Sequence, residues 1–262
     1  MSAILIGKNI IHYEVLGRGR PVIFLHSWFG SWRYWIPSMQ AVSASYRAYA
    51  LDLCGFGDTA KDPNQYSLGQ QVELLYGFLY QMGIGKVAIV AHGMGSLVSM
   101  RFSKTYGDMV DRMMVVAYPL NLKDVNNRLR IYKPMDLLDW LINRNNLLEP
   151  VQNEITKIDP LAVHISYDEM GTMNLNQMLV QLNKPCLSVY SVNDPLVSTP
   201  NESDLSGISD NFQVIYFDNS SHFPMLEESN RFNRLLVDFL ALAGSESPRQ
   251  LQLKDEWKRR VR

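Results

Sequence analysis

The stretch Val87-Ala88-Ile89-Val90-Ala91-His92-Gly93-Met94-Gly95-Ser96 reads as a buried strand running into a tight turn and then a helix. Its apolar run, 87–90, suits a strand covered on both faces, as a parallel sheet requires. Two glycines two residues apart suit a sharp turn, and helical spacing follows over about 95–106. Outward from this stretch the pattern repeats. On the N-terminal side lie an alternating edge strand over 10–15, a turn over 17–21 and a buried strand over 22–25. They are followed by helical spacing over 31–42, a strand over 46–51 and an amphipathic helix over 67–82. On the C-terminal side lie strands over 113–116, 186–190 and 212–217, then a closing helix over 227–242. This alternation predicts an α/β fold, a mostly parallel twisted sheet flanked by helices. Between 121 and 181 the alternation stops. Helical segments over 134–143 and 174–182 stand there without a convincing strand, so a helical insertion into a single domain over 1–243 is expected.

Composition sets bounds on function. The chain has 262 residues, 47% of them apolar, which is ample for a full core and excludes a disordered chain. Its 25 Lys+Arg are balanced by 26 Asp+Glu, so no phosphate-neutralising surface, and no nucleic-acid partner, is expected. No apolar run reaches the ~20 residues of a membrane helix. The N-terminus lacks a basic segment ahead of an apolar one, so a cytoplasmic protein is the expectation. Residues 244–262, with Lys254, Lys258, Arg259, Arg260 and Arg262, read as a solvated basic tail.

The polar and glycine-rich stretches sit at strand ends. They are His26-Ser27-Trp28-Phe29-Gly30, Asp52-Leu53-Cys54-Gly55-Phe56-Gly57, Ala91-His92-Gly93-Met94-Gly95, Asn193-Asp194-Pro195 and Ser221-His222-Phe223. In open α/β sheets the ligand crevice lies beyond the carboxyl ends of the strands, so these stretches are expected to converge.

In this order they resemble the α/β-hydrolase family, of the type with a helical cap, over about residues 8–243. The resemblance implies a nucleophile–acid–histidine order and a strand–elbow–helix turn for the nucleophile. It maps the elbow onto 91–95, the acid onto Asp194 and the histidine onto His222. It also maps the oxyanion loop onto His26-Ser27-Trp28 and the family's Asp-x-x-Gly-x-Gly turn onto Asp52–Gly57. Three positions depart from the pattern. Ala91 stands where Gly-x-Ser-x-Gly has its first glycine, Gly93 stands where it has its serine, and Ser27 stands where the oxyanion loop has glycine.

Glycine has no side chain, so no acyl-enzyme can form at residue 93. Ser96 should point away, one helical turn on. Ser27 and Ser221 flank the crevice, but neither has the strained turn that presents a nucleophile, so neither is expected to act as one. His222 and Asp194 have the types and order of a general base and its orienting carboxylate, and are expected to touch. The N–H groups of Met94 and Trp28 would line an anion-friendly pocket, which the Ser27 side chain is expected to narrow. His92 is expected to pack under the elbow and Asp52 to stabilise its turn. His12 and His164 read as surface or packing residues. The five histidines lack metal-ligand spacing, and no metal or cofactor is expected. Neither Cys54 nor Cys186 is placed to replace the nucleophile. Aromatic and thioether side chains (Trp28, Phe29, Trp32, Trp35, Tyr132, Met135, Trp140, Met170 and Met173) are expected around the pocket, which points to a small apolar ligand.

Two functions follow. One is an enzyme whose His222–Asp194 dyad acts as general base on a small apolar ester or related ligand, with room for water beside the glycine and no acyl-enzyme. The other is a non-catalytic ligand-binding or scaffold descendant of a hydrolase. An engineered knockout would normally carry alanine at residue 93, and the departures at Ala91 and Ser27 speak for natural drift instead.

Overall fold

The computed structural model describes residues 2–142, 146–244 and 246–253. Eight strands form one sheet: β1 (Ser2–Ile6), β2 (Asn9–Gly17), β3 (Arg20–Leu25), β4 (Tyr46–Leu51), β5 (Val87–His92), β6 (Val110–Val116), β7 (Cys186–Ser191) and β8 (Phe212–Phe217). Their order across the sheet is β1-β2-β4-β3-β5-β6-β7-β8, antiparallel at β1, β2 and β4 and parallel from β4 to β8. All six residues of β5 are buried, which is why its sequence is a continuous apolar run rather than an alternation.

The helices are α1 (Ile36–Val42), α2 (Leu68–Gln81), α3 (Met94–Thr105), α4 (Arg128–Ile131), α5 (Pro134–Ile142), α6 (Glu149–Gln152), α7 (Pro160–Met170), α8 (Leu175–Val180), α9 (Pro224–Glu227) and α10 (Ser229–Ala241). The α2 helix begins where the Ser67 hydroxyl accepts from the Gln70 N–H, and it buries Leu68, Val72, Leu75, Phe78 and Leu79 along one stripe. At the C-terminus of α10, the buried Arg112 guanidinium donates to the carbonyls of Phe239 and Leu242, supplying donors to a helix end that lacks them.

Several elements differ from the sequence expectation. The β1 strand was not anticipated: its five residues alternate between half-buried and exposed and pair only with β2. The helix expected over 31–42 is a 3₁₀ turn, Trp32–Trp35, followed by α1. Pro37, which lacks an N–H, is tolerated only in the first turn of that second segment. The α7 helix was also missed, because its buried stripe includes Ala162 and Ser166 and so is weakly apolar. The expected solvated tail starts later than residue 244. Pro248 and Leu251 are buried, and Arg249 pairs with Asp210, so residues 246–253 dock beside β8. The basic residues from Lys254 on lie outside the described residues.

Helices α4 to α8 all lie between β6 and β7, where the insertion was expected. They are tied to the loops at the carboxyl ends of the strands. Trp28 Nε1 donates to Ser166 Oγ at 3.0 Å, Tyr66 to Asp159 at 2.6 Å and Arg33 to Glu154 at 2.7 Å, and Arg101 pairs with Glu169.

The topology positions the site. From β3 the chain moves to β4 on one side and then to β5 on the other, so the direction of winding reverses between β3 and β5. Such a switch point opens a crevice between the two outgoing loops. The parallel register sets Leu25 opposite Ala91. Ser27 and Gly93 each stand two residues beyond that pair and therefore face each other across the crevice.

Candidate active site

Gly93 connects β5 to α3 with φ 48° and ψ −110°, a backbone conformation that L side chains rarely adopt. The elbow geometry therefore persists although the side chain is gone. The turn is fastened by Gly95 N–H to the His26 carbonyl (3.0 Å) and by Gly93 N–H to the Val116 carbonyl (2.9 Å). A Cβ at Gly95 would meet the Leu25 and His26 carbonyls at 2.7 Å, so that glycine permits the close approach of the two loops.

The position a Gly93 side chain would take is occupied by Ser27. A Cβ built on it would fall deep inside contact distance of Ser27 Oγ, and 3.0 Å from Ser27 Cβ. The side-chain position expected to stand vacant at residue 93 is therefore taken by the Ser27 hydroxyl. The physical reason is the paired register, which aims residue 27 at residue 93.

His222 and Asp194 meet. His222 Nδ1 lies 2.8 Å from Asp194 Oδ2, and both side chains are buried, at 0% and 2% exposure. The carboxylate is locked by its own turn, since its Oδ1 accepts from the N–H groups of Leu196 (2.8 Å) and Val197 (3.1 Å). The histidine loop is locked by Glu227 on α9, which accepts from Ser221 N–H, Ser221 Oγ and Phe223 N–H. With Nδ1 bearing the hydrogen for Asp194, a neutral His222 presents the Nε2 lone pair. Ser27 Oγ lies 3.3 Å from that nitrogen. The sequence reading had placed Ser27 at the pocket wall and not at the histidine. Nothing in a single loop's sequence could show that the sheet register carries it there.

Met94 and Trp28 directly follow Gly93 and Ser27 in the two loops. Met94 is the first residue of α3, where an N–H has no acceptor within the helix, and neither N–H bonds to a described residue. Ser27 itself is held by its N–H, which donates to Tyr34 Oη at 2.7 Å. That hydroxyl in turn lies 3.1 Å from His92 Nδ1. Burial, and next the neighbouring His222, push the pKa of His92 well below that of a free histidine. Burial likewise lowers that of His26, whose Nδ1 donates to the Ser27 carbonyl and whose Nε2 accepts from Leu53 N–H. Both rings are neutral struts beneath the two loops.

The other expected residues fall outside the reacting centre. Asp52 accepts from the N–H groups of Trp32 (2.8 Å) and Asp58 (2.9 Å) and from His12 Nδ1 (3.1 Å), which makes it a turn carboxylate. Among the described residues, His12, Asp52 and Asp58 form one tight group of potential metal ligands. Asp52 is held there by those bonds, and Lys157 and Arg33 balance Asp58. Ser96 Oγ donates to the Gly93 carbonyl at 2.5 Å. Burial pushes the Cys54 thiol up to about 12 and raises that of Cys186 too, so neither offers a thiolate. Of the expected aromatic lining, Trp28, Phe29 and Met170 are buried. Trp35 instead packs on Phe24 and Phe232 in the core, and Tyr132 and Met135 face solvent at 45% and 52% exposure.

Comparison with known proteins gives a consistent picture. A family model described as alpha/beta hydrolase fold matches residues 20–148. The 2-hydroxy-6-oxo-6-(2'-aminophenyl)hexa-2,4-dienoic acid hydrolase of Metapseudomonas resinovorans is 22% identical, over 87% of each chain. Among solved structures, a serine-to-glycine mutant of the N-acyl homoserine lactonase AidH complexed with N-hexanoyl homoserine lactone superposes with TM-score 0.80. It is 18% identical and covers 91% of this chain and 96% of its own. The enol-lactonase of Burkholderia xenovorans LB400 also gives 0.80 at 16% identity, over 92% of this chain and 100% of its own.

Proposed function

This chain is an α/β-hydrolase-fold protein, and from that premise we propose that it hydrolyses a small, largely apolar ester or related acyl compound, with His222 as general base. One observation carries the reading: His222 Nδ1 sits 2.8 Å from a carboxylate whose other oxygen is already committed to two backbone N–H groups. A carboxylate so held fixes the tautomer of the ring and stabilises the imidazolium that forms when Nε2 takes a proton. The buried Trp28 ring, 3.4 Å from where a Gly93 Cβ would sit, favours an apolar substrate, and the N–H groups of Met94 and Trp28 suit a developing oxyanion. The 2-hydroxy-6-oxo-6-(2'-aminophenyl)hexa-2,4-dienoic acid hydrolase among its relatives is in keeping with a hydrolytic reaction.

The test is turnover of p-nitrophenyl acetate and butyrate by the full chain and by His222→Ala. General-base catalysis is worth ~10²–10⁴-fold, so kcat/KM should fall by that factor. A wild-type rate no greater than that of His222→Ala would sink the reading. It would leave a non-catalytic binding protein, which the complete burial of Ser27 and His222 also suits.

A further inference from the structure

We propose that the hydroxyl of Ser27 is the nucleophile, so that the reactive serine has moved from the elbow to the oxyanion loop and kept its place in space. The inference rests on the hydrolase reading above and adds the identity of the attacking oxygen.

Four observations bear on it. Ser27 Oγ lies 3.3 Å from His222 Nε2, the ring nitrogen left free by Asp194. That is within reach of a base that would take its proton, and such bonds are often loose without substrate. The same oxygen occupies the space a side chain on Gly93 would enter, which is where an elbow serine would present its hydroxyl. The register between β3 and β5 sets residues 27 and 93 opposite each other, so a hydroxyl on either one reaches the same point. Finally, the other hydroxyl and thiol candidates are spent. Ser96 Oγ is bonded to the Gly93 carbonyl and Ser221 Oγ to Glu227, and burial keeps Cys54 and Cys186 protonated. Tyr34 fixes the Ser27 backbone through its N–H, and Trp28, the next residue, offers a free N–H beside it.

The step balances with water as co-reactant. Ser27 Oγ attacks the carbonyl carbon of the ester while its proton passes to His222 Nε2, and the carbonyl electrons move onto the oxyanion. On collapse the bond from carbon to the alcohol oxygen breaks, and His222 returns its proton to that oxygen. The acyl group is then an ester of Ser27. Water attacks it with His222 again as base, which releases the carboxylic acid and restores the hydroxyl.

The experiment uses the full chain, p-nitrophenyl acetate and a small fluorophosphonate. The wild type should show a stoichiometric burst of p-nitrophenol and a phosphonyl adduct mapping to the peptide that carries Ser27. Ser27→Ala should lose both, and its turnover should fall by about 10²-fold or more. The proposal is overturned by the lack of an adduct in the wild type, or by an adduct and burst that survive in Ser27→Ala. A Ser27→Ala enzyme that turns over at the wild-type rate while His222→Ala is dead would overturn it and leave the general-base reading standing. An adduct at Ser27 without turnover would uphold the nucleophile and defeat the hydrolase reading. Should Ser27→Ala fail to fold, Ser27→Cys gives a second measurement. Its thiol should be alkylated by iodoacetamide faster than Cys54 or Cys186, and an inert thiol at 27 would count against the proposal.

Discussion

The loop after β3 and the loop after β5 follow one plan with different residues at the deciding position. Each leaves a buried strand through a neutral histidine, His26 or His92. A small residue comes next, Ser27 or Gly93, and then a buried bulky one, Trp28 or Met94. The difference lies in the backbone. Gly93 has φ 48°, whereas Ser27 is outside the left-handed region, where Ala117 is the only non-glycine residue described. A side chain at 93 would be strained, and one at 27 is not. Backbone strain of this kind costs of order 1–3 kcal/mol. The comparison teaches that one point in the crevice can be reached from two strands, and that the two routes differ in what they cost the fold.

The largest expected effect comes from removing the partner both loops share. Asp194→Asn should lower kcat/KM by about 10²–10⁴-fold through the wrong tautomer of His222, with little change in melting temperature. A variant near wild type in steady-state assays would break the comparison at its root.

Exchanging the residues sharpens it. Gly93→Ser alone puts a side chain into the space of Ser27 Oγ and should lose activity, and Ser27→Gly alone should lose the hydroxyl. The double variant should recover to within about tenfold of wild type, a coupling that independent sites would not show. If it is no better than the worse single variant, the two positions are not equivalent.

The strain difference has its own readout. Gly93→Ala should destabilise by about 1–3 kcal/mol, more than Ser27→Ala, as measured by urea unfolding. Equal effects would show that the elbow carries no special cost.

The two histidines predict a pH dependence. Their native pKa values lie below the ordinary histidine value of 6.5, so near and below that pH the unfolded chain binds more protons. Stability should therefore fall as pH drops below about 6.5, by at most ~1.4 kcal/mol per unit per histidine. His12, whose pKa is raised against the net burial penalty by Asp52, acts in the opposite sense and offsets part of this. Unfolding at pH 7.5 and 5.5 gives the sign, and greater stability at the lower pH would contradict it. The smallest effect belongs far from both loops. Deleting residues 244–262 should leave activity intact and cost about 1–2 kcal/mol, because Leu251 leaves the core.

Much of this was legible in the chain. Continuous apolar runs announced β3 and β5, because strands buried on both faces have no polar side. The stripe of Val72, Leu75, Phe78 and Leu79 announced α2 for the corresponding reason. Asp194 and His222 could be paired through the resemblance to the hydrolase order of acid and histidine, and the parallel neighbours β7 and β8 carry them to one end of the sheet. The half-exposed β1 and the weakly apolar α7 left no such trace.

What the sequence determined alone was composition at each strand end: a glycine at the elbow, a serine in the neighbouring loop, and an acid and a histidine further on. Only the tertiary structure decided that Ser27 and Gly93 contend for the same space. That fact belongs to the register of β3 on β5, set by hydrogen bonds between segments more than sixty residues apart. Local patterns report what each segment buries, and the alignment of two strands is settled only when both are in the sheet.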